Sequence, residues 1–182
     1  MNDTQWGNRV EVLVEAIGPP LTCARVLAAC ESTQDHARSL GLGAVVVAPR
    51  QTGGRGQRGN AWADTGNEGL AFSVVLPATE QPDRSAAVAR AIVNALEPLV
   101  PGRLSVKHPN DVLLDGCKLA GVLIEQADGR AVIGIGINVA QTTWPEDLAE
   151  TAISLRQGGV AIERLDALER VLPGVVRAWG AR

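Results

Sequence analysis

The chain is 182 residues long, 46% hydrophobic and 20% charged, with a formal net charge of −3 and a pI near 5.4. That length suits one domain with a substantial core, and no run nears the ~18 uninterrupted apolar positions of a membrane-crossing helix. The acidic balance excludes a general affinity for nucleic acid, so any attraction to phosphate must be local.

The N-terminus carries no basic region followed by an apolar signal core, which points to a cytoplasmic protein. In chain order, residues 21–31 read as a strand, and Ser32 or Thr33 can cap a short helix ending near Gly41. Residues 44–49 and 70–76 read as strands separated by a glycine-rich segment. Residues 83–99 read as a helix, with apolar Ala87, Ile92, Ala95, Leu96 and Leu99 recurring along it. Residues 104–107, 112–114, 119–126 and 132–139 read as further strands, with tight turns at Asp115-Gly116 and Asp128-Gly129. Helices are expected over residues 145–156 and 163–179. The sum is a single α+β domain, a largely antiparallel sheet flanked by helices. No repeat, low-complexity tract or linker divides it.

The cysteines, Cys23, Cys30 and Cys117, lack metal-ligand and Cys-x-x-Cys spacing and read as reduced, small apolar side chains. Two histidines, His36 and His108, are too few for a histidine metal site.

Two segments carry more chemistry. The first, Gln51 to Trp62, places Gly53, Gly54, Gly56 and Gly59 around Arg55 and Arg58. Its backbone can turn sharply and offer N–H groups to an anion, while arginine supplies forked donors for phosphate or carboxylate. No Gly-Lys-Ser/Thr closes it and the Rossmann spacing is absent, so it is not a P-loop. The second runs Lys107-His108-Pro109-Asn110-Asp111 and, seven residues after that aspartate, Lys118-Leu119-Ala120-Gly121. It sets two lysines, an amide and a carboxylate on either side of one hairpin, between flanks too apolar to face solvent throughout. Charges there must reach water, a partner or a ligand, because burying them unpaired is costly.

Together these segments resemble the catalytic domain of biotin protein ligases, a class II synthetase-like fold in the biotin/lipoate ligase superfamily. The resemblance spans about Cys30 to about Trp179. It includes Glu31-Ser32-Thr33, the Gly-Arg-Gly loop ending at Trp62, Lys-x-Pro-Asn-Asp, Lys-Leu-Ala-Gly and Gly134-Ile135-Gly136-Ile137-Asn138-Val139, in family order. It implies ATP-dependent adenylation of biotin, then transfer to a lysine of a biotin carboxyl carrier domain of acetyl-CoA carboxylase or a related carboxylase. Biotin and MgATP would be substrates, with no tightly bound prosthetic group.

By the same resemblance Lys118 is the ammonium bridging the biotin carboxylate and the α-phosphate, with Arg55 beside it among the catalytic groups. Ser32, Thr33, Gln34, Gln51, Gly54, Arg55, Lys118 and Gly121 fall at biotin-binding positions. Gly56, Gln57, Arg58, Asn60, Trp62, Lys107, Asn110, Asp111 and Asn138 fall at nucleotide positions, and Asp111 and Asn138 would meet Mg2+. Trp62 would pack over adenine once the loop closes. Ordinary roles stand beside these: capping for Ser32 and Thr33, turn or sheet-edge hydrogen bonds for the amides, core packing for Trp62.

Gln57 and Asn60 depart from the family, where many relatives carry arginine; Gln34 replaces a usual asparagine and His108 a usual tryptophan. Neutral amides cannot reproduce a bidentate clamp, so weaker retention of the adenylate is expected. No helix-turn-helix segment is expected before the domain and hence no DNA binding, and the small C-terminal β-barrel of many relatives is expected to be absent. An edge-strand homodimer is compatible with the family. Two readings compete with the ligase: a biotin or adenylate-binding homologue that transfers poorly, and a lipoate or octanoyl transferase, whose glycine and histidine signatures are not found.

Overall fold

A computed structural model describes residues 3–63 and 65–180, apart from the side chains of residues 3, 4 and 58. Its elements run α1 (Asp3–Ile17), β1 (Cys23–Val26), α2 (Thr33–Leu40), β2 (Ala44–Ala48), β3 (Gly69–Pro77), α3 (Arg84–Leu96), β4 (Leu104–Lys107), β5 (Asp111–Leu114), β6 (Cys117–Ala127), β7 (Arg130–Asn138) and α4 (Arg164–Trp179). The seven strands form one sheet in the order β1-β2-β3-β7-β6-β5-β4, antiparallel except for the β1–β2 pair. The α+β expectation therefore holds.

Strand periodicity separates the two faces. In β3, Leu70, Phe72, Val74 and Leu76 join Ile133, Ile135 and Ile137 of β7 in the large core beneath α1, α3 and α4. Truncating Phe72, fully buried, to alanine should cost ~3–5 kcal/mol. The intervening positions face the other way, where only α2 packs, on a small cluster of Ala37, Ala44, Val46, Val75 and Val132. Farther along that face β6 and β7 present Gly121, Gly134 and Gly136 instead of side chains. That bare stretch leaves room above the sheet.

Both expected hairpin turns form. Asp115 and Gly116 sit at φ 51° and 84°, Asp128 and Gly129 at 51° and 72°, the paired positive angles of a two-residue turn that matches strand twist. Ser32 caps α2 by accepting from the Gln34 N–H, and Gly41 ends it at φ 91°.

Three expectations need correction. Helix α1 was not foreseen, although Trp6, Val10 and Val14 recur every four residues and are buried against α4 and the sheet. The strand expected over 21–31 is only Cys23–Val26, because its parallel pairing with β2 ends there; Cys30 makes a lone bridge to Gln51. Residues 145–156 are not a helix but successive turns. Their backbone is captured by β6 instead: the Lys118 N–H donates to Thr151 O at 2.7 Å and the Ile153 N–H to Lys118 O at 3.0 Å. No described helix is long and apolar enough to cross a membrane.

Candidate active site

The bare face of β6 and β7 is roofed by α2 and the glycine-rich segment, making a polar cleft. That segment is itself a small hairpin. The Gly56 N–H donates to Asn60 O at 2.7 Å and the Trp62 N–H to Gly54 O at 2.9 Å, around a 3-10 turn at Gln57–Gly59. Gly54 is needed for close approach, since a Cβ there would lie 2.9 Å from Gln51 Nε2 and 3.0 Å from Trp62 Cβ.

Trp62 hangs from this hairpin onto the sheet. A Cβ at Gly136 would come within 2.5 Å of the indole, and one at Gly121 within 3.2 Å. Gly134 serves Gln34 in the same way, with a hypothetical Cβ 2.7 Å from its side chain. The glycines of the Gly-Ile-Gly-Ile-Asn stretch are thus seats for two side chains that cross the sheet.

On the α2 side, Thr33 receives Gln51 twice. Its N–H and its hydroxyl donate to Gln51 Oε1 at 2.7 and 2.8 Å, and its hydroxyl also meets Ser73 Oγ at 2.8 Å. Gln34, almost wholly buried, spreads one amide N–H2 among Leu123 O, Glu125 Oε2 and Val132 O at 3.3–3.4 Å. Ser32, Thr33, Gln34, Gln51, Arg55, Lys118 and Gly121, expected at biotin positions, wall this cleft together with Gly56, Gln57, Trp62 and Asn110, expected at nucleotide positions.

Lys118 stands at the junction with a second recess beyond Trp62, whose walls include Thr65, Asn138, Trp144, Leu148 and Ala152. Its side chain folds over Gly121, where a Cβ would sit 3.3 Å from Lys118 Cε. Its ammonium lies 2.8 Å from Asp111 Oδ1 and 5.9 Å from the Trp62 ring centre. That oxygen is enclosed and takes no hydrogen bond of good angle, so Lys118 is its compensating charge. Asn138, buried, donates to Lys118 O at 3.0 Å and is braced by Gln141 Nε2 3.4 Å from its Oδ1.

Arg55, at the cleft wall, has its guanidinium paired with a carboxylate of α2. Its fork donates to both oxygens of Asp35, each at 2.8 Å, and this partner holds the Asp35 carboxyl below the usual carboxylate range. Lys107 is exposed on edge strand β4, opposite Asp111, and does not wall either recess. Asn60 is exposed in the hairpin, Gly54 lies buried beneath it, and the Arg58 side chain lies outside the described residues. The sequence reading missed Leu148 and Ala152, which a mistaken helix over 145–156 had absorbed, and Trp144 just before it, with Asp35, Gln141 and Ser73.

For a divalent cation, Asp111 and Asn138 offer one carboxylate and one amide, and no group of three His, Cys, Asp or Glu side chains occurs among the described residues. Such a donor set fits Mg2+ that arrives with its own phosphate and water ligands, not a resident ion.

Residues 28–142, more than half of the chain, match the family model described as the biotin/lipoate A/B protein ligase family. A Mycobacterium tuberculosis protein named biotin--[acetyl-CoA-carboxylase] ligase is 39% identical over 127 residues, which cover 65% of this chain and 47% of that protein. The Bacillus subtilis bifunctional ligase/repressor BirA is 32% identical over 178 residues, covering 90% and 55%. A biotin protein ligase from Aquifex aeolicus, solved in complex with biotin and ATP, superposes with a TM-score of 0.80 at 31% identity, covering 88% of this chain and 71% of that one. The chain spans about half the length of the two curated relatives.

Proposed function

The chain belongs to the biotin/lipoate A/B protein ligase family, and on that footing we propose that it adenylates biotin with MgATP and transfers the biotinyl group to a lysine of a biotin carboxyl carrier domain in the cytoplasm. In the first step a biotin carboxylate oxygen bonds to the α-phosphorus, and the bond from that phosphorus to the bridging oxygen of pyrophosphate breaks. In the second, the neutral amine of the carrier lysine attacks the acyl carbon, AMP departs and the amine gives up a proton. Each half has its own demand.

Joining two anions requires positive charge between them. Lys118 carries the proposal, because its ammonium is the cation shared by the polar cleft and the recess beyond Trp62. Biotin would occupy the cleft, whose hydrogen-bonding groups Thr33, Gln34 and Gln51 suit a cyclic urea. The nucleotide would lie on the Trp144 side, where apolar and aromatic surface suits a base. Asp111, 2.8 Å from the ammonium, balances Lys118. Mg2+ brought by ATP would neutralise phosphate charge and give Asp111 another cation to face. The glycine hairpin, with Trp62 at its base, would shield the mixed anhydride from water.

The test is mass spectrometry of a biotin carrier domain after incubation with the protein, biotin and MgATP. The expected result is a single biotinyl adduct, absent with Lys118→Ala and absent when lipoate replaces biotin. An unlabelled carrier despite biotin binding would select the poorly transferring homologue, a reading favoured by the uncharged Gln57 in the cleft wall.

A further inference from the structure

We propose that Asp35 is a positioning residue for the glycine-rich hairpin. Its carboxylate, carried by α2, grips the Arg55 guanidinium and docks the cover of the polar cleft against the cleft wall. The sequence reading sent Arg55 toward an anionic substrate. The geometry gives it a different occupation. Both ends of its fork are spent on Asp35 in two parallel hydrogen bonds of 2.8 Å, and its second nitrogen also lies 3.8 Å from Glu125 Oε2.

The surroundings complete a small charge network. Arg38, one turn along α2, donates to Asp35 Oδ1 at 3.1 Å and to Glu125 Oε2 at 2.5 Å. Glu125 in turn accepts from Gln34 Nε2 at 3.3 Å. Two guanidinium groups and two carboxylates thus tie α2, the hairpin and β6 together with no surplus charge. Arg55, so neutralised, acts on the site by holding backbone in place. The hairpin follows as a unit, because Arg55 bridges Ala61 and Gly54 bonds Trp62 across its two arms. Its root is anchored in the same place, where the Gly53 N–H donates to Glu31 O at 2.9 Å, just before the Ser32 cap. Freeing Arg55 therefore loosens Trp62, the partition between the two recesses.

The first readout below concerns the ligand-free chain; the second rests on the biotin reading, so the two can fail separately. Amide hydrogen exchange at Gly53, Gly56 and Trp62 would be followed in the intact chain, in Asp35→Asn, in Arg55→Gln and in the double variant. A half-exposed bidentate pair should make each single variant exchange about 3–5-fold faster. The double variant should be no faster than either single one, since both remove the same interaction, and Asp35→Glu should recover most of the protection. Unchanged exchange in Asp35→Asn, or effects of the two substitutions that multiply, overturns the proposal. In the second readout, biotin as the probe should dissociate about 3–5-fold faster from Asp35→Asn, equalled by Arg55→Gln. A much larger loss in Arg55→Gln alone would return Arg55 to direct ligand contact and overturn the docking role. Coupled exchange with no biotin binding at all would leave the proposal standing and remove the ligase reading.

Discussion

The two sides of Trp62 are built by different means. Toward α2, the walls come from a capped helix and paired strands, and the polar groups hold one another: Thr33 to Gln51 and Ser73, Gln34 to three acceptors. Toward Trp144, the wall is a run of turns whose fixed points include backbone bonds to Lys118, Asn138 and Val139 and one indole bond, Trp144 Nε1 to Gln157 Oε1 at 2.8 Å. Lys118 thus belongs to the irregular side through its backbone and reaches the regular side with its amine. One residue can register the arrival of both occupants because the two walls meet in it.

Removing that residue should have the largest effect. Lys118→Ala is expected to lower biotin-dependent pyrophosphate release by on the order of 100–1,000-fold, the scale of a lost charge-stabilising donor in a transition state. If both recesses bind their ligands undiminished while the rate falls, the junction role is sharpened; an unchanged rate breaks it. Next, Trp144→Ala should raise the KM for ATP about tenfold, the scale of a lost aromatic stack on a base, without altering biotin affinity measured by calorimetry. Equal losses on both sides would erase the distinction between the walls. Gly136→Ala forces the indole to move and should weaken both ligands together, at a cost of ~1–3 kcal/mol from overpacking; a loss confined to one ligand would show that Trp62 does not divide them.

Gln57→Arg places at the edge of the cleft the charge that the family resemblance leads one to expect there. Release of the adenylate to solution should slow roughly five- to tenfold, as followed by AMP appearance without carrier. Unchanged leakage would free Gln57 from any part in retention. The smallest effect is the pH response of the docked hairpin. The Asp35 carboxyl is lowered chiefly by its hydrogen bond to Arg55, so its folded value lies below its unfolded one. That contribution is complete above the unfolded value near ~3.9 and is lost as pH falls through the folded value. Protection of the hairpin amides should stay flat from pH 8 to pH 5 and fall only in stronger acid, by less than ~1 kcal/mol for a pair this exposed.

The regular side was largely readable in the sequence because local rules determine it. Asp115-Gly116 and Asp128-Gly129 demanded tight turns, and Ser32 and Gly41 demanded helix ends. The resemblance, more than any composition, grouped Ser32 to Gln34 with Gln51 and Lys118. The irregular side was not readable, since Leu148, Ala152 and Leu155 imitate a helical stripe while the chain around them answers to strand β6. Helix α1 shows an opposite failure: its four-residue repeat was present, but Gly7 and three β-branched valines weaken the local signal. Asp35 was invisible for a further reason, because a single acidic residue on a short helix gains meaning only once Arg55 is brought to it from twenty positions away.

The glycine seats beneath Trp62 have a consequence for the joined intermediate. A wall one indole thick keeps two compartments adjacent, so a molecule made by linking their contents can remain anchored in each while crossing at the seam. Such a two-headed occupant leaves only when both ends let go together, and each end that slips is recaptured at the high local concentration set by its tether. Flat backbone under a single ring would therefore favour lingering of the coupled species over escape of either half.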